Sequence, residues 1–547
     1  MITITLKNGE TKSFSDDVTY YDISKKIKFE RPVLGVKINN EVVSMDHTAK
    51  DGDKLDFFDV TDLDGYKMYK AAVKMIFELA VKRVLNDAEV HYDNSVPKGL
   101  LGSIICDDEV TSDEINDVKQ AMRKIIADNL LFKKLSVRTK EAVQYFNKIN
   151  QPEKAENIKN ISDQTTTIYQ LDSVLNYYYS DMPYSTGAIS DFDLVYLGEN
   201  KFVFLWPSVR SGGKIPEYVH HSNIIDAYVK GKEWLNNLKI PYVSDLNTII
   251  EQARIKEFIN SSEIVYNLMI AQITNHIVVN PEIMFVLIAG PSSSGKTTSC
   301  RRLAEYLSAV GYNPIRISTD DYYVERDKTP KDENGNYDYE CLEAIDVQAI
   351  NDDVIKLMNH EKVNLPIYNF ITGKREYSDT PIELGEKSVI ILEGLHCLNN
   401  KMLPSIDDKN KYKIYLSPFI PLSIDRHNYV STIDLRLIRR IVRDNRDRGS
   451  KVSNTIKSWQ SVRNGEEKYI FPFIQDADVI LNTALAYEIG VLKVYAEPLL
   501  HSVGVDSPYY EEAHRLLDFL KPFFPIPGDY VNSNSILREF IGGRSND

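Results

Sequence analysis

The chain has 547 residues, of which 43% are hydrophobic and 26% charged, with a formal net charge of −14; that length exceeds one hydrophobic core and predicts three or four domains. The acidity opposes broad binding to a nucleic-acid backbone, which lysine and arginine drive, and no apolar run reaches the roughly 18 to 20 residues that span a bilayer. Cys106, Cys300, Cys341 and Cys397 lie far apart with no C-x-x-C pair, which points to neither a disulfide framework nor a cysteine zinc site.

The first residues, "MITITLKNGETKSF", lack the basic-then-apolar order of a signal peptide. A cytoplasmic protein in a reducing compartment, with no membrane partner, is the expectation. No repeat of fixed period and no long low-complexity tract is visible.

Residues 1–61 alternate strand-like runs ("ITITL", "VLGVKI", "KLDFF") with polar turns ("KNGE", "INNE", "KDGD"), and one helical stretch, "YYDISKKI", sits between them. That order predicts a small β-grasp unit. Through "ITLKNGETKSF", "DISKKI" and "VKINNEVV" it also resembles the TGS domain of threonyl-tRNA synthetases. Residues 62–205 resemble the editing-type second additional domain that follows TGS in those enzymes. The family helix there carries two zinc-binding histidines, and aligning on "AVKR" puts Ala71 and Met75 at their places. Aligning "YYYSDMPYSTG" on its last three residues puts Tyr178 and Met182 where the family has a cysteine and a histidine. None of these side chains replaces an imidazole or thiolate on zinc, so no zinc and no editing hydrolysis are expected. His91 is the one histidine left that invites a ligand role, and a lone histidine is more often structural.

Residues 206–280 carry helical patterning, as in "SNIIDAYVKGKEWLNNL", and read as a helical connector entered through "RSGGKIPEY". The leucines and aromatics at helical spacing are expected to be core.

Residues 281–547 switch to strands alternating with helices, which predicts a mainly parallel sheet with helices on both faces and its chemistry at the C-terminal strand ends. In "MFVLIAGPSSSGKTTSCRRLAEYL", Gly290, Gly295, Lys296 and Thr297 match G-x-x-x-x-G-K-[ST] between an apolar strand and an amphipathic helix, the context a P-loop requires. The backbone from Gly290 through Ser292, Ser293, Ser294 and Gly295 is expected to curl around phosphates at the helix N-terminus, with Thr298 in its first turn. Lys296 would serve the β- and γ-phosphates, and the Thr297 hydroxyl a Mg²⁺ ion.

The strand "PIRIST" finishes on Asp320 and Asp321; a carboxylate there could accept the proton of a hydroxyl receiving the phosphoryl group, and Asp320 is the candidate base, although either acid could instead cap a turn. "SVIILEG" ends on Glu393, a second candidate for the metal. In "DLRLIRRIVRDNRDRGSK", Arg436, Arg439, Arg440, Arg443, Arg446 and Arg448 crowd one helix. They read either as a solvated face or, beside a P-loop, as a lid over a triphosphate.

In order, "GPSSSGKTT", "STDDYY", "NYDYE", "PIYNF", "LEG", "RRIVRDNRDRG" and "DADVIL" resemble the uridine kinase and phosphoribulokinase family. The whole chain is similar to bacterial nucleoside kinases fused behind a TGS domain. The fold expected is a multidomain α/β chain: a C-terminal P-loop kinase with a mainly parallel sheet, preceded by the β-grasp unit and an α+β editing-like domain. The resemblance implies ATP as donor, Mg²⁺ as cofactor and the 5′-hydroxyl of a nucleoside, uridine or cytidine first, as acceptor, in pyrimidine salvage. It implies Asp320 as the base, Lys296, Arg443 and Arg448 as catalytic partners, Arg440 on the nucleotide, and Tyr323, Asp338, Tyr368 and Phe370 around the nucleoside. It also implies departures where the pyrimidine is read, since Gly373, Ser450 and Ser458 stand where the family has a histidine, an arginine and a glutamine. The alternatives are a phosphoribulokinase-like sugar-phosphate kinase and a nucleotide-switched RNA- or ribosome-binding protein, the TGS-like domain being the route to nucleic acid. A homo-oligomer is left open.

Overall fold

The computed structural model describes residues 1–38, 41–161, 163–209, 211–331, 335, 337–369 and 372–544. Its elements follow from local sequence. The first helix, Tyr20–Lys25, is opened by a capping box in which the Thr19 hydroxyl accepts from the Asp22 N–H and the Asp22 carboxylate accepts from the Thr19 N–H. Five strands surround it in the order Thr11–Phe14, Ile2–Leu6, Lys54–Phe58, Gly35–Ile38, Glu41–Val43. The pair of Ile2–Leu6 with Lys54–Phe58 is parallel and its neighbours are antiparallel.

The next stretch holds a four-stranded antiparallel sheet, ordered Asp193–Gly198, Lys201–Leu205, Gly99–Ile105, Glu89–Val96. The helix Leu63–Val84, nearly all apolar over Ala71–Val81, is buried against it. A three-stranded sheet, Val174–Asn176, Thr165–Leu171, Lys133–Arg138, lies beside it. Ala71 and Met75 are core residues of the long helix, while the Tyr178 hydroxyl donates to the Glu78 carboxylate. Met182 is buried in the same cluster.

The segment expected as a connector contributes the helices Ser222–Asn237, Val243–Glu251 and Ile255–Val279. Ile259, Ile270 and Ile277 share one apolar core with Cys300, Leu303 and Leu307 of the helix Lys296–Ala309. That helix follows the central strand of a five-stranded, wholly parallel sheet, ordered Asn313–Ser318, Ser388–Glu393, Phe285–Ala289, Lys411–Ser417, Val479–Asn482. Every residue of Phe285–Ala289 is buried, as a parallel strand covered on both faces demands. The chain is thus multidomain α/β, with a wholly parallel five-stranded sheet at its C-terminal side. No helix among the described residues is long and apolar enough to cross a membrane.

The parallel sheet reaches the front half through the hairpin Ser423–Asp425 and Asn428–Tyr429. His427 at its tip accepts at Nδ1 from Lys154 Nζ at 2.6 Å and from Asn176 Nδ2 at 2.7 Å. Burial beside Lys154 holds its pKa well below the ordinary value. Arg426 Nε donates to the Glu153 carboxylate at 2.7 Å, and Asp425 accepts from the Tyr177 hydroxyl at 2.7 Å. His91 stands near this cluster, where burial and the cations Lys232, Arg426 and Lys154 push its pKa down to about 3.

Candidate active site

The register aligns Ile288 and Ser318 with Glu393, so the loops after three adjacent parallel strands open side by side. Gly290 starts the first of them. A Cβ there would lie 2.6 Å from the Leu416 carbonyl oxygen, so only glycine lets the loop leave the strand this close to its neighbour. Gly295 has φ +89° and Ser293 φ +60°, left-handed backbone that lets the loop wrap inward before the helix begins.

The loop is held from behind by residues that sequence reasoning took for a surface or a lid. Arg436 and Arg439 are almost wholly buried. Arg436 Nε donates to the Ser292 carbonyl at 2.8 Å, and Arg439 donates to the Ser293 carbonyl at 3.2 Å and the Thr483 carbonyl at 2.9 Å. Their charges are met by Glu466 and by Glu488, the latter at 2.8 Å. Burial works against ionised Glu466, but Arg436 and Arg463 hold its carboxyl below the ordinary range. Glu466 also accepts from the Ser292 N–H at 3.2 Å, and the Ser294 carbonyl accepts from the Thr483 hydroxyl at 2.6 Å.

Lys296 Nζ curls over the loop and donates to the Gly290 carbonyl at 3.0 Å. Thr297 Oγ1 donates to Glu393 Oε1 at 3.0 Å. Burial pushes the Glu393 carboxyl up to about 7, with Lys296 pulling the other way. A hydroxyl and a carboxylate side by side at the helix start are oxygen donors of the kind Mg²⁺ takes, so the residues present fit the ion.

The structure separates the two aspartates. Asp321 Oδ1 accepts from the Tyr368 N–H at 3.2 Å. Asp320 stays exposed at the strand end; partial desolvation raises its carboxyl above the ordinary range, while Lys296 and Arg448 oppose the rise.

The arginines also divide. Arg440, Arg443 and Arg448 gather on Asp444, at 3.2, 3.0 and 3.5 Å, and Arg440 Nη1 donates to Ser292 Oγ at 2.8 Å. The helix that carries them, Thr432–Arg448, is capped by Ser431 and stopped by Gly449 at φ +57°.

Across the cleft, Tyr323 and Tyr368 lie with ring centroids 5.6 Å apart. Asp338 Oδ2 accepts from the Tyr469 hydroxyl at 3.1 Å and Oδ1 from the Glu340 N–H at 3.0 Å. Phe370 lies outside the described residues. Glu340, which sequence reasoning passed over inside "NYDYE", faces the same cleft; burial and Glu466 push its carboxyl up to about 7. His396, held neutral by burial, sits against the Glu340 carbonyl with Nε2 at 2.9 Å.

The arrangement can cradle a polyphosphate, neutralise it and place a carboxylate beside a transferred group. Comparison with known proteins gives the same direction. The profile of the phosphoribulokinase/uridine kinase family matches residues 285–489. A uridine kinase of Bacillus velezensis is 31% identical over 195 residues, covering 36% of this chain and 83% of that protein. Uridine kinases of Bacillus subtilis and Staphylococcus aureus are also 31% identical, over 83% and 84% of their lengths. A solved structure described as a possible uridine kinase from Bacillus stearothermophilus matches 37% of this chain and 89% of its own at 21% identity, with a TM-score of 0.24.

Proposed function

This chain belongs to the phosphoribulokinase/uridine kinase family through residues 285–489, and from that premise we propose that it transfers the γ-phosphoryl group of ATP to the 5′-hydroxyl of a nucleoside, uridine or cytidine first. The observation that carries this reading is the convergence of Lys296, Thr297, Glu393 and Asp320 at the ends of three neighbouring parallel strands.

In this reading the loop from Gly290 to Gly295 offers its N–H groups to the phosphates, and Lys296 leaves its carbonyl partners for the β- and γ-oxygens. Thr297 and Glu393 would hold Mg²⁺, which neutralises charge on the phosphate oxygens when bound. Asp320 accepts the proton of the attacking hydroxyl, and its raised proton affinity suits a base working near neutral pH. Arg440, Arg443 and Arg448, gathered on Asp444, are the charges available to meet the transferred group and to close the site against water. Tyr323, Tyr368 and Phe370 would flank the nucleoside, and Asp338 would accept from vicinal ribose hydroxyls.

The front half belongs to the proposal in the same way. Residues 1–61 are read as a β-grasp unit of the TGS kind, supported by the strand order and its central parallel pair. Residues 62–205 are read as an editing-like domain without zinc, supported by the apolar side chains at Ala71, Met75 and Met182. A cytoplasmic location completes it.

The test is an acceptor screen with Mg·ATP in which products from uridine, cytidine, purine nucleosides, deoxynucleosides and ribulose 5-phosphate are resolved by mass. A nucleoside monophosphate supports the proposal; phosphorylation of ribulose 5-phosphate alone overturns it in favour of a sugar-phosphate kinase.

A further inference from the structure

The last described stretch of the chain lies on the candidate phosphate loop. Ile536, Leu537 and Phe540 are fully buried. A Cβ on Gly295 would lie 2.5 Å from Ile536 Cδ1, so this isoleucine packs directly on the loop's second glycine. The Phe540 ring stacks on the Arg439 guanidinium with its centroid 4.7 Å away, on the same arginine that clamps the Ser293 and Thr483 carbonyls.

Between these apolar contacts, Glu539 points a charge at the loop helix. Its Oε2 accepts from the Thr298 hydroxyl at 2.5 Å, and that hydroxyl accepts from Arg544 Nη2 at 3.1 Å. Glu539 and Arg544 are 3.7 Å apart. The Glu539 carbonyl accepts from Arg446 on the arginine-rich helix at 3.3 Å, and the Asn534 carbonyl accepts from Arg302 on the loop helix.

Thr298 is in the first turn of that helix, where a P-loop's N–H groups and positive dipole end receive the α- and β-phosphates. Glu539, with Arg544 3.7 Å away, therefore sets a carboxylate where a donor nucleotide brings its own negative charge. Like charges brought together in a partly buried site oppose one another strongly.

We propose that residues 532–544 form a latch on the donor subsite, and that the Glu539–Thr298 contact must open for the α-phosphate of a nucleoside triphosphate to settle on the loop. This rests on reading the loop as an ATP site. The buried apolar side chains keep the latch docked, and the carboxylate sets how much affinity the donor loses in displacing it. The tie through Arg446 makes opening felt by the helix that carries Arg440, Arg443 and Arg448.

Truncating the segment removes four buried core side chains, Ile536, Leu537, Phe540 and Ile541, and so confounds folding with function, whereas Glu539→Gln keeps shape and removes only charge. Calorimetric titration of the full chain with Mg·ATP is to be run on the parent, Glu539→Gln and Lys296→Ala. The latch predicts about tenfold tighter binding by Glu539→Gln, within the usual range of coupling between linked equilibria. It also predicts faster amide hydrogen exchange over residues 534–544 of the parent once Mg·ATP is bound. Binding that depends on Lys296 while Glu539→Gln is unchanged or weaker, or exchange there that slows, overturns the latch and leaves the donor site standing. ATP binding that is absent, or indifferent to Lys296→Ala, overturns the donor site and the latch with it.

Discussion

Asp320 and Asp321 are adjacent carboxylates whose surroundings differ in their partners. Asp321 is engaged by the Tyr368 N–H, 47 positions further along the chain; Asp320 is exposed, within the fields of Lys296 and Arg448. A base must be ionised to act, so activity is expected to fall as pH drops through the Asp320 pKa, and the desolvation that raises that pKa moves the acid limb above the ordinary carboxylate range. Asp320→Asn is expected to lower kcat by on the order of 10² to 10⁴ and to erase the limb; Asp321→Asn should keep it. A pH–kcat/KM profile that is unchanged in Asp320→Asn would remove Asp320 from the role of base. The sequence singled out Asp320 as the candidate base but left open that either acid caps a turn, because the hydrogen bond that engages Asp321 comes from a distant strand. The position of the candidate phosphate loop was legible because its signal is local: two glycines, a lysine and a threonine between an apolar strand and a helix. The strand-end position of Glu393 was legible for the same reason, as the acid that ends an apolar run.

At the scale of the element, the helix Thr432–Arg448 does two jobs with one composition. Its buried arginines, Arg436 and Arg439, fix the loop by its carbonyls, while Arg440, Arg443 and Arg448 share Asp444. From sequence six arginines on one helix read as one face, because the partners that bury two of them, Glu466 and Glu488, lie on later helices. Removing one member of a buried pair leaves the other charge uncompensated. Arg439→Ala is therefore expected to destabilise the chain by about 3–5 kcal/mol, since Glu488 stays behind in the core. Urea unfolding measures it, and a loss under about 1 kcal/mol would mean that the pair behaves like an exposed one. The same distance in sequence hid the latch: Thr298 and Glu539 are 241 positions apart, and "NSILREFIGG" carries no periodicity that announces a partner.

For the whole molecule, the phosphate-loop sheet is not independent of what precedes it. The helix Ile255–Val279 supplies core to the loop helix, and the hairpin Ser423–Tyr429 buries Asp425 and His427 among Lys154, Asn176 and Tyr177. A fragment of residues 281–547 would expose the apolar face that Ile259, Ile270 and Ile277 cover and would leave the hairpin's buried polar groups unsatisfied. It is expected to aggregate or to lose ATP binding on purification; a monodisperse fragment with the affinity of the full chain would contradict this dependence. Length and pattern predicted several units, whereas the interlocking of front half and parallel sheet was not legible, because it is made by short segments whose composition resembles any loop.

The reading turns on phosphoryl transfer to an acceptor, and the most direct measurement follows the γ-phosphoryl group itself. Enzyme in excess over ATP carrying a labelled γ-phosphate is mixed with Mg²⁺ and uridine, quenched at intervals and separated, with Lys296→Ala and Asp320→Asn in parallel. The account predicts that the label moves to the 5′-phosphate of uridine monophosphate in the parent and stays on ATP in both variants. Label released only as inorganic phosphate, or unmoved although ATP is bound, with every nucleoside tried, would contradict it.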